Sequence, residues 1–202
     1  MLQKIIQLDQ WLFLKINQEW RNAVFDTIMP LLREAKFWIP FYLFLGLFVL
    51  VNFGHKLWHW LLFGLLTITL TDSISSRIFK PWFDRRRPCA DPEFGDSVRL
   101  LLEHCSSSGS FTSSHAANHF GLAMFLFISF RSFIKKPVRS LFFLWAFAIC
   151  WAQIYVGVHY PMDILGGAII GIVVGGLCGM IFNNRFGLEA QDGKLPLQMN
   201  QN

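Results

Sequence analysis

The chain has 202 residues, of which 53% are hydrophobic and only 15% are charged, and its formal net charge is +5. A soluble domain of this length usually carries about 25% charged residues, so the composition excludes an ordinary soluble protein and favours a membrane protein. The basic residues cluster beside apolar segments rather than along one soluble face, so the net charge does not indicate nucleic-acid binding.

The first 36 residues precede the membrane core. Polar residues interrupt their apolar positions every few residues, which argues against a cleavable signal peptide and predicts an amphipathic helix. Two placements stay open: a helix lying in the membrane interface, or a helix packed on the bundle. A second short helix is predicted over 26–34. The apolar positions of the first helix are Leu2, Ile5, Ile6, Leu8, Leu12 and Ile16.

Apolar stretches of membrane-spanning length, about 17–25 residues, follow. They predict an all-α integral membrane protein, a helical bundle of about five transmembrane helices with an N-terminal amphipathic interfacial helix. The single domain covers 1–188, with the interfacial segment at 1–36 and the transmembrane core at 37–182, and a polar, disordered tail follows at 189–202. The five predicted spans are 37–53, 57–78, 116–130, 141–158 and 164–182.

Five crossings place three polar runs on one side of the membrane: 80–88 (KPWFDRRRP), 110–119 (SFTSSHAANH) and 153–163 (QIYVGVHYPMD). The short loop 131–139 (RSFIKKPVR) lies on the other side and has four cations, which is typical of a cytoplasmic loop. More Lys and Arg residues lie on the polar-run side, but a phosphate site would need several of them there. The sequence therefore predicts that the polar runs face outward.

The last predicted span has glycine at every fourth position: Gly167, Gly171, Gly175 and Gly179. These positions share one helix face and permit close helix packing. Packing within the chain is favoured over packing against a second copy, and the oligomeric state is not predicted.

The first polar run offers cations that suit a phosphate. Lys80 and Arg87 are candidate clamps, because a guanidinium presents a planar fork of donors to phosphate oxygens. The simpler alternative is that Lys80 and the three arginines at 85–87 anchor lipid headgroups at the end of a span.

The other two runs offer histidines. Asp163 lies four residues after His159 and could fix its tautomer, leaving the other ring nitrogen free to attack. His115 follows Ser113 and Ser114 at a predicted helix start, where free amides can hold an anion and His115 could protonate a leaving group. The alternatives are ordinary helix caps at Asp163 and at the serines. Together on one face, the three runs favour a phosphate site at the bilayer surface.

No cluster of Asp, Glu, His and Cys has the spacing of a metal site, so metal-independent chemistry without a cofactor is expected. Cys89 and Cys105 lie in the long polar loop, and an outside location would allow a disulfide between them. Whether they pair is left open.

These residues resemble the type 2 phosphatidic acid phosphatase family, membrane lipid phosphatases that share a helical core with vanadium haloperoxidases. The family pattern has three ordered parts: Lys, six residues, Arg-Pro; then Pro-Ser-Gly-His; then Ser-Arg, five residues, His, three residues, Asp. Here they are Lys80 to Arg87-Pro88, Thr112-Ser113-Ser114-His115, and Ala152-Gln153 with His159 and Asp163. The resemblance covers roughly residues 37–182 and extends to the N-terminal segment.

The resemblance implies roles for these residues. His159 would be the nucleophile, oriented by Asp163, and His115 would be the general acid and then the base. The phosphate would be held by Lys80, Arg87 and Ser113, with a backbone amide near Ser114.

One departure concerns the phosphate clamp: the family's second arginine is Gln153 here. Loss of one charged donor from a transition-state clamp would cost about 2–4 kcal/mol unless another group substitutes. The candidate substitutes are Arg85, Arg86, Asn118 and His119.

The resemblance implies a lipid phosphatase that acts on a phosphomonoester or diphosphate of a lipid headgroup through a phosphohistidine, in a bacterial inner membrane with its site facing the periplasm. Its partners would be the bilayer and a lipid phosphate: undecaprenyl diphosphate first, lipid A phosphate close behind, then phosphatidylglycerol phosphate or phosphatidic acid. The alternative, favoured by Gln153, is a non-catalytic lipid-phosphate binding or transport protein on the same core.

Overall fold

The computed structural model describes residues 2–188, and the predicted disordered tail 189–202 lies outside the described residues. All regular secondary structure within 2–188 is helical, which confirms the predicted all-α class. The α-helices are α1 (Leu2–Leu14), α2 (Ala23–Leu32), α3 (Ile39–Phe53), α4 (Lys56–Ser73), α5 (Lys80–Phe83), α6 (Ser114–Ser129), α7 (Lys136–Tyr155) and α8 (Pro161–Arg185).

Four segments in the described part of the chain are long and apolar enough to cross a membrane: Ala35–Phe53, Lys56–Ala90, Lys136–Tyr155 and Pro161–Arg185. The second is long because a π-helical turn, Ile74–Phe79, joins α4 to α5. These four correspond to four of the five predicted spans.

The fifth predicted span, 116–130, corresponds to α6, whose 16 residues extend only about 24 Å. That is shorter than the roughly 30 Å hydrocarbon core of a bilayer. Helix α6 packs against α4, α7 and α8, and Ala123, Phe125 and Leu126 are fully buried. These side chains of α6 therefore contact protein.

The polar runs meet at one end of the bundle. There the amide of Ser113, at the start of α6, donates to the carbonyl oxygen of Asp163 at 3.0 Å. At the other end, Nδ2 of Asn183 in α8 donates to the carbonyl oxygen of Ile128 in α6 at 2.7 Å. Helices α6 and α8 are therefore parallel, and their N-termini lie together.

The glycine face of α8 explains how these two helices approach so closely. A Cβ atom added at Gly171 or Gly175 would overlap the backbone of α6 at Ala117 or Gly121. A Cβ atom at Gly167 would overlap the carbonyl oxygen of Ser113. The glycine face is thus filled by α6 of the same chain, and this packing positions the two helix N-termini.

The N-terminal helix packs on the bundle. Phe13 and Asp9 are buried, whereas Leu8 and Trp11 on the outer face are more than half exposed. Asn17, just after α1, is fully buried, and its Nδ2 donates to the carbonyl oxygens of Tyr155 (2.8 Å) and Arg99 (2.9 Å). Helix α1 thus packs on the bundle through one face, and its outer face carries exposed apolar side chains.

The loop between α5 and α6 is attached to the same end of the bundle. Cys89 and Cys105 form a disulfide bond within it, and the amide of Leu101 donates to the carbonyl oxygen of Val156 at 3.1 Å. Gly157 has φ +94°, and a Cβ atom there would lie 2.9 Å from the carbonyl oxygen of Arg99. Glycine therefore permits both the turn after α7 and the approach of the loop.

Candidate functional site

His159 lies in the turn between α7 and α8 and is only 1% exposed. Its Nε2 lies 3.2 Å from Nη1 of Arg87. A guanidinium can only donate, so Nε2 accepts and the proton of the neutral ring lies on Nδ1. That Nδ1 lies 3.5 Å from Oδ2 of Asp163 and 3.4 Å from Oγ of Ser110.

Burial determines the protonation state of this ring. Burial lowers the pKa of His159 to about 4, outweighing the hydrogen bond with Asp163, which raises it. The ring is therefore neutral at pH 7, which is the state required of a nucleophile.

Asp163 is fully buried near the N-terminus of α8 and accepts several hydrogen bonds. Oδ2 accepts from the amide of Tyr160 at 2.8 Å and from Oγ of Ser110 at 2.5 Å. Oδ1 accepts from Nη1 of Arg85 at 2.8 Å. Asp163 thus caps α8 and also faces the histidine, so the two alternatives from the sequence are both present in one side chain.

Arg87 is 8% exposed and is held by the loop that precedes α6. Its Nε donates to the carbonyl oxygen of Ser108 and its Nη2 to the Ser108 hydroxyl, both at 2.9 Å. Nη1 also donates to the carbonyl oxygen of Val158 at 3.2 Å. Lys80 lies against the same loop, because a Cβ atom added at Gly109 would lie 3.4 Å from Cβ of Lys80. Both predicted cations therefore contact the loop that precedes α6.

The start of α6 brings the third polar run to the cluster. Ser113 is the N-cap residue, and its Oγ accepts from the amide of Ala116 at 3.4 Å. Oγ of Ser114 lies 3.1 Å from Oγ of Ser75, within hydrogen-bond distance. His115 lies in the first turn of α6, and burial lowers the pKa of its ring well below the usual histidine value. All three polar runs predicted to converge contribute residues here.

Gln153, which replaces the second arginine of the family pattern, is fully buried. Its Oε1 accepts a hydrogen bond from Nε of Arg33 at 3.3 Å.

Three of the four candidate substitutes have other partners. Arg85 bridges Asp9 (2.6 Å) and Asp163 (2.8 Å). Oδ1 of Asn118 accepts from Thr71 at 2.7 Å, and Nδ1 of His119 lies 2.8 Å from the carbonyl oxygen of His115. The fourth, Arg86, is exposed.

Sequence reasoning missed four residues that the structure brings to the cluster: Asp9, Arg33, Ser108 and Ser110. Asp9 could have been suspected, because a lone carboxylate on an apolar helix face needs a partner. Ser110 opens the second polar run, whereas nothing near Arg33 in the sequence indicates its destination.

A cavity of about 280 Å³ opens beside Arg87 and is lined on one side by Val158, next to His159. The full lining is Arg33, Glu34, Arg87, Leu102, Glu103, His104, Ser106 and Val158. Within residues 2–188, no three His, Cys, Asp or Glu side chains are grouped so as to hold a metal ion.

Comparison with known proteins identifies the family. The model of the PAP2 superfamily matches residues 58–186, which include all three polar runs. The chain belongs to the PAP2 superfamily. It is a membrane lipid phosphatase, a hydrolase of phosphoric monoesters.

The relatives of this PAP2 protein include lipid A 4'-phosphatase of Bacteroides thetaiotaomicron, 33% identical over 174 residues, which are 85% of this chain and 75% of that protein. Aquifex aeolicus LpxE is similar in structure, with TM-score 0.60 and 27% identity, covering 83% of this chain and 92% of LpxE. A transmembrane PAP2-type phosphatidylglycerolphosphate phosphatase of Bacillus subtilis has TM-score 0.70 and 23% identity, covering 91% and 89% of the two chains, and supports the fold.

Proposed function

We propose that this PAP2 phosphatase hydrolyses a phosphomonoester on the sugar headgroup of a lipid A-type lipid, through a phosphohistidine on His159. The observation that carries the mechanism is the position of the His159 ring, with Nδ1 facing Asp163 and Nε2 facing Arg87. One nitrogen is oriented by a carboxylate, and the other lies where a cation would place a phosphate.

In the first step, Nε2 of His159 attacks phosphorus and the bond from phosphorus to the lipid oxygen breaks. The Nη1 donor of Arg87 turns from Nε2 to a phosphate oxygen, and Lys80 adds a second positive charge. Burial lowers the pKa of His115, so the proton comes from the monoanionic phosphate ester: His115 takes it up beside the bound phosphate and gives it to the leaving oxygen. The Nδ1 proton of His159 remains shared with Asp163. This arrangement stabilises the charge that develops at phosphorus.

In the second step, His115 takes a proton from water, and the oxygen attacks phosphorus. The bond from phosphorus to Nε2 breaks, inorganic phosphate is released, and His159 returns to its neutral state. Ser113 and an amide near Ser114 hold the phosphate oxygens at the helix N-terminus. The proposed steps require no metal ion.

The proposed substrate class rests on the cavity and on a relative. Glu34 and Glu103 are exposed at the cavity lining; their carboxylates can accept hydrogen bonds from sugar hydroxyls and repel a second phosphate. This favours a phosphomonoester on a hydroxyl-rich headgroup over a diphosphate. The similarity to lipid A 4'-phosphatase points the same way, so lipid A phosphate replaces undecaprenyl diphosphate as the first choice.

We also propose that the site faces the periplasm from the inner membrane. The disulfide between Cys89 and Cys105 lies at the site end, and disulfides persist outside the cytoplasm. The cationic loop 131–139 lies at the other end, next to the C-terminus of α6, as expected for the cytoplasmic side.

The test is a phosphate-release assay with the purified full chain on lipid A, undecaprenyl diphosphate, phosphatidylglycerol phosphate and phosphatidic acid. We expect the highest kcat/KM on lipid A, no turnover by His159→Ala, retention of activity in EDTA, and acid-labile phosphate on His159 after quenching. Turnover that survives His159→Ala would contradict the mechanism. Preference for a diphosphate would contradict the substrate class alone.

A further inference from the structure

Gln153 has one amide atom without a hydrogen-bond partner. Its Nε2 is buried with no partner among the described residues, although Oε1 accepts from Arg33. Leaving a buried donor unpaired is unfavourable. An anion bound at this point would satisfy it, so the donor indicates a ligand position.

Arg33 adds a positive charge at the same point. It follows α2, its side chain is 18% exposed, and its only ion pair within the described residues is with the exposed Glu34, at 3.1 Å. Arg33 and Arg87 line the same cavity and repel each other electrostatically. Two guanidiniums that line one cavity, one of them hydrogen-bonded to Gln153, fit a phosphate dianion.

The N-terminal segment brings Arg33 to this position from far along the sequence. Arg33 and Gln153 are 120 residues apart. Asp26 in α2 accepts from Nη1 of Arg99 and from the Tyr155 hydroxyl, both at 2.6 Å. Helix α2 is therefore fixed to the end of α7, two residues from Gln153, and Arg33 is held beside Gln153.

We propose that Arg33 is a phosphate-binding residue, and that it supplies from the N-terminal segment the second guanidinium that α7 lacks at Gln153. The inference rests on the proposed function of the same site. It assigns a role in phosphate recognition to the segment before the transmembrane core. Gln153 then orients Arg33 through Oε1 and donates to the phosphate through Nε2.

The test is a charge-relocation series in the full-length protein. Arg33→Gln should lower kcat/KM for lipid A by about 10²–10³-fold, the usual effect of losing one transition-state donor. Adding Gln153→Arg in the same chain should restore most of the lost activity, because the guanidinium returns to the site from α7. The control is Arg21→Gln, which removes an exposed arginine of the same segment and should leave activity unchanged.

Each outcome decides the role of Arg33. Undiminished activity in Arg33→Gln would overturn the inference. So would a loss that Gln153→Arg does not restore in a variant with an unchanged melting temperature, because Arg33 would then support only the structure. Binding of inorganic vanadate, measured by the thermal shift of the folded protein, separates this inference from the proposed function. If no lipid is hydrolysed but vanadate binding is weakened in Arg33→Gln and recovers in the double variant, the phosphatase proposal fails and the role of Arg33 stands.

Discussion

At the scale of single residues, the site depends on keeping His159 buried, neutral and oriented. Burial lowers its pKa to about 4, while Asp163 and Ser110 face its Nδ1. Arg85 joins Asp163 to Asp9 of α1 and lies 4.1 Å from the ring centre of Tyr160. Removing Arg85 would leave two buried carboxylates without their cation, which is far more costly than losing a surface pair. Arg85 is thus a positioning residue, which explains why it does not replace the arginine missing at position 153.

The low pKa of His159 predicts how stability depends on pH. In the unfolded chain the pKa of this histidine is near the ordinary value of about 6.5, and in the folded protein burial lowers it to about 4. Above pH 6.5 the ring is neutral in both states and has no effect. As the pH falls from 6.5 towards 4, only the unfolded state gains the proton, so the free energy of unfolding decreases by about 1.4 kcal/mol per pH unit.

The measurement is thermal unfolding in detergent at about pH 7 and about pH 5, within the window set by the two pKa values. His159→Asn, which has no titratable ring, should lose less stability over this interval than the unmodified protein. Equal losses in the two proteins would show that His159 is not buried in its neutral form.

At the scale of helices, the site depends on the close contact between α6 and α8. The glycine face of α8 lets the backbone of α6 approach, and this contact holds Ser113 beside Asp163. Gly175 faces the backbone carbonyl of Gly121, which cannot move aside as a flexible side chain would. A single methyl group in α8, far from the chemistry, should therefore disturb the site.

Gly175→Ala should lower the free energy of unfolding by about 1–3 kcal/mol, the usual cost of overpacking a filled contact, and should reduce kcat. The matched control is Gly46→Ala in α3, where a Cβ atom would have no neighbour within 4 Å. Alanine favours helix over glycine by about 1 kcal/mol, so the control should be unchanged or slightly stabilised. Thermal unfolding and phosphate release measure both variants, and equal effects would refute the packing argument.

The sequence could predict what depends on local pattern. Apolar length predicted the helical class, and the spacing of Gly167, Gly171 and Gly175 predicted a close helix contact. Apolar length could not show that α6 is surrounded by protein, because a buried helix and a lipid-facing helix can be equally apolar. The position of Arg33 depends on tertiary contacts of Asp26 and Asn17 with the end of α7, and no local pattern records them.

At the scale of the whole molecule, the candidate catalytic and phosphate-binding residues lie at one end of an apolar helical bundle. The N-terminal segment, the disulfide-bonded loop, and the starts of α6 and α8 meet there, and the cationic loop 131–139 lies at the other end. A lipid substrate can then present its phosphate at the membrane surface while its acyl chains remain in the bilayer. The disulfide at the site end and the cationic loop at the opposite end are the basis for the proposed periplasmic orientation.

The proposed orientation predicts which loops can be labelled from outside the cell. The native cysteines give little background, because Cys89 and Cys105 are paired and Cys150 and Cys178 are buried. Ser97 at the site end and Ser132 at the opposite end are both exposed, so Ser97→Cys and Ser132→Cys form a matched pair. A membrane-impermeant maleimide added to intact spheroplasts should label Ser97→Cys and should reach Ser132→Cys only after lysis. The reverse pattern would place the site on the cytoplasmic side. Labelling of both variants from outside would contradict the placement of residues 97 and 132 on opposite sides of the membrane.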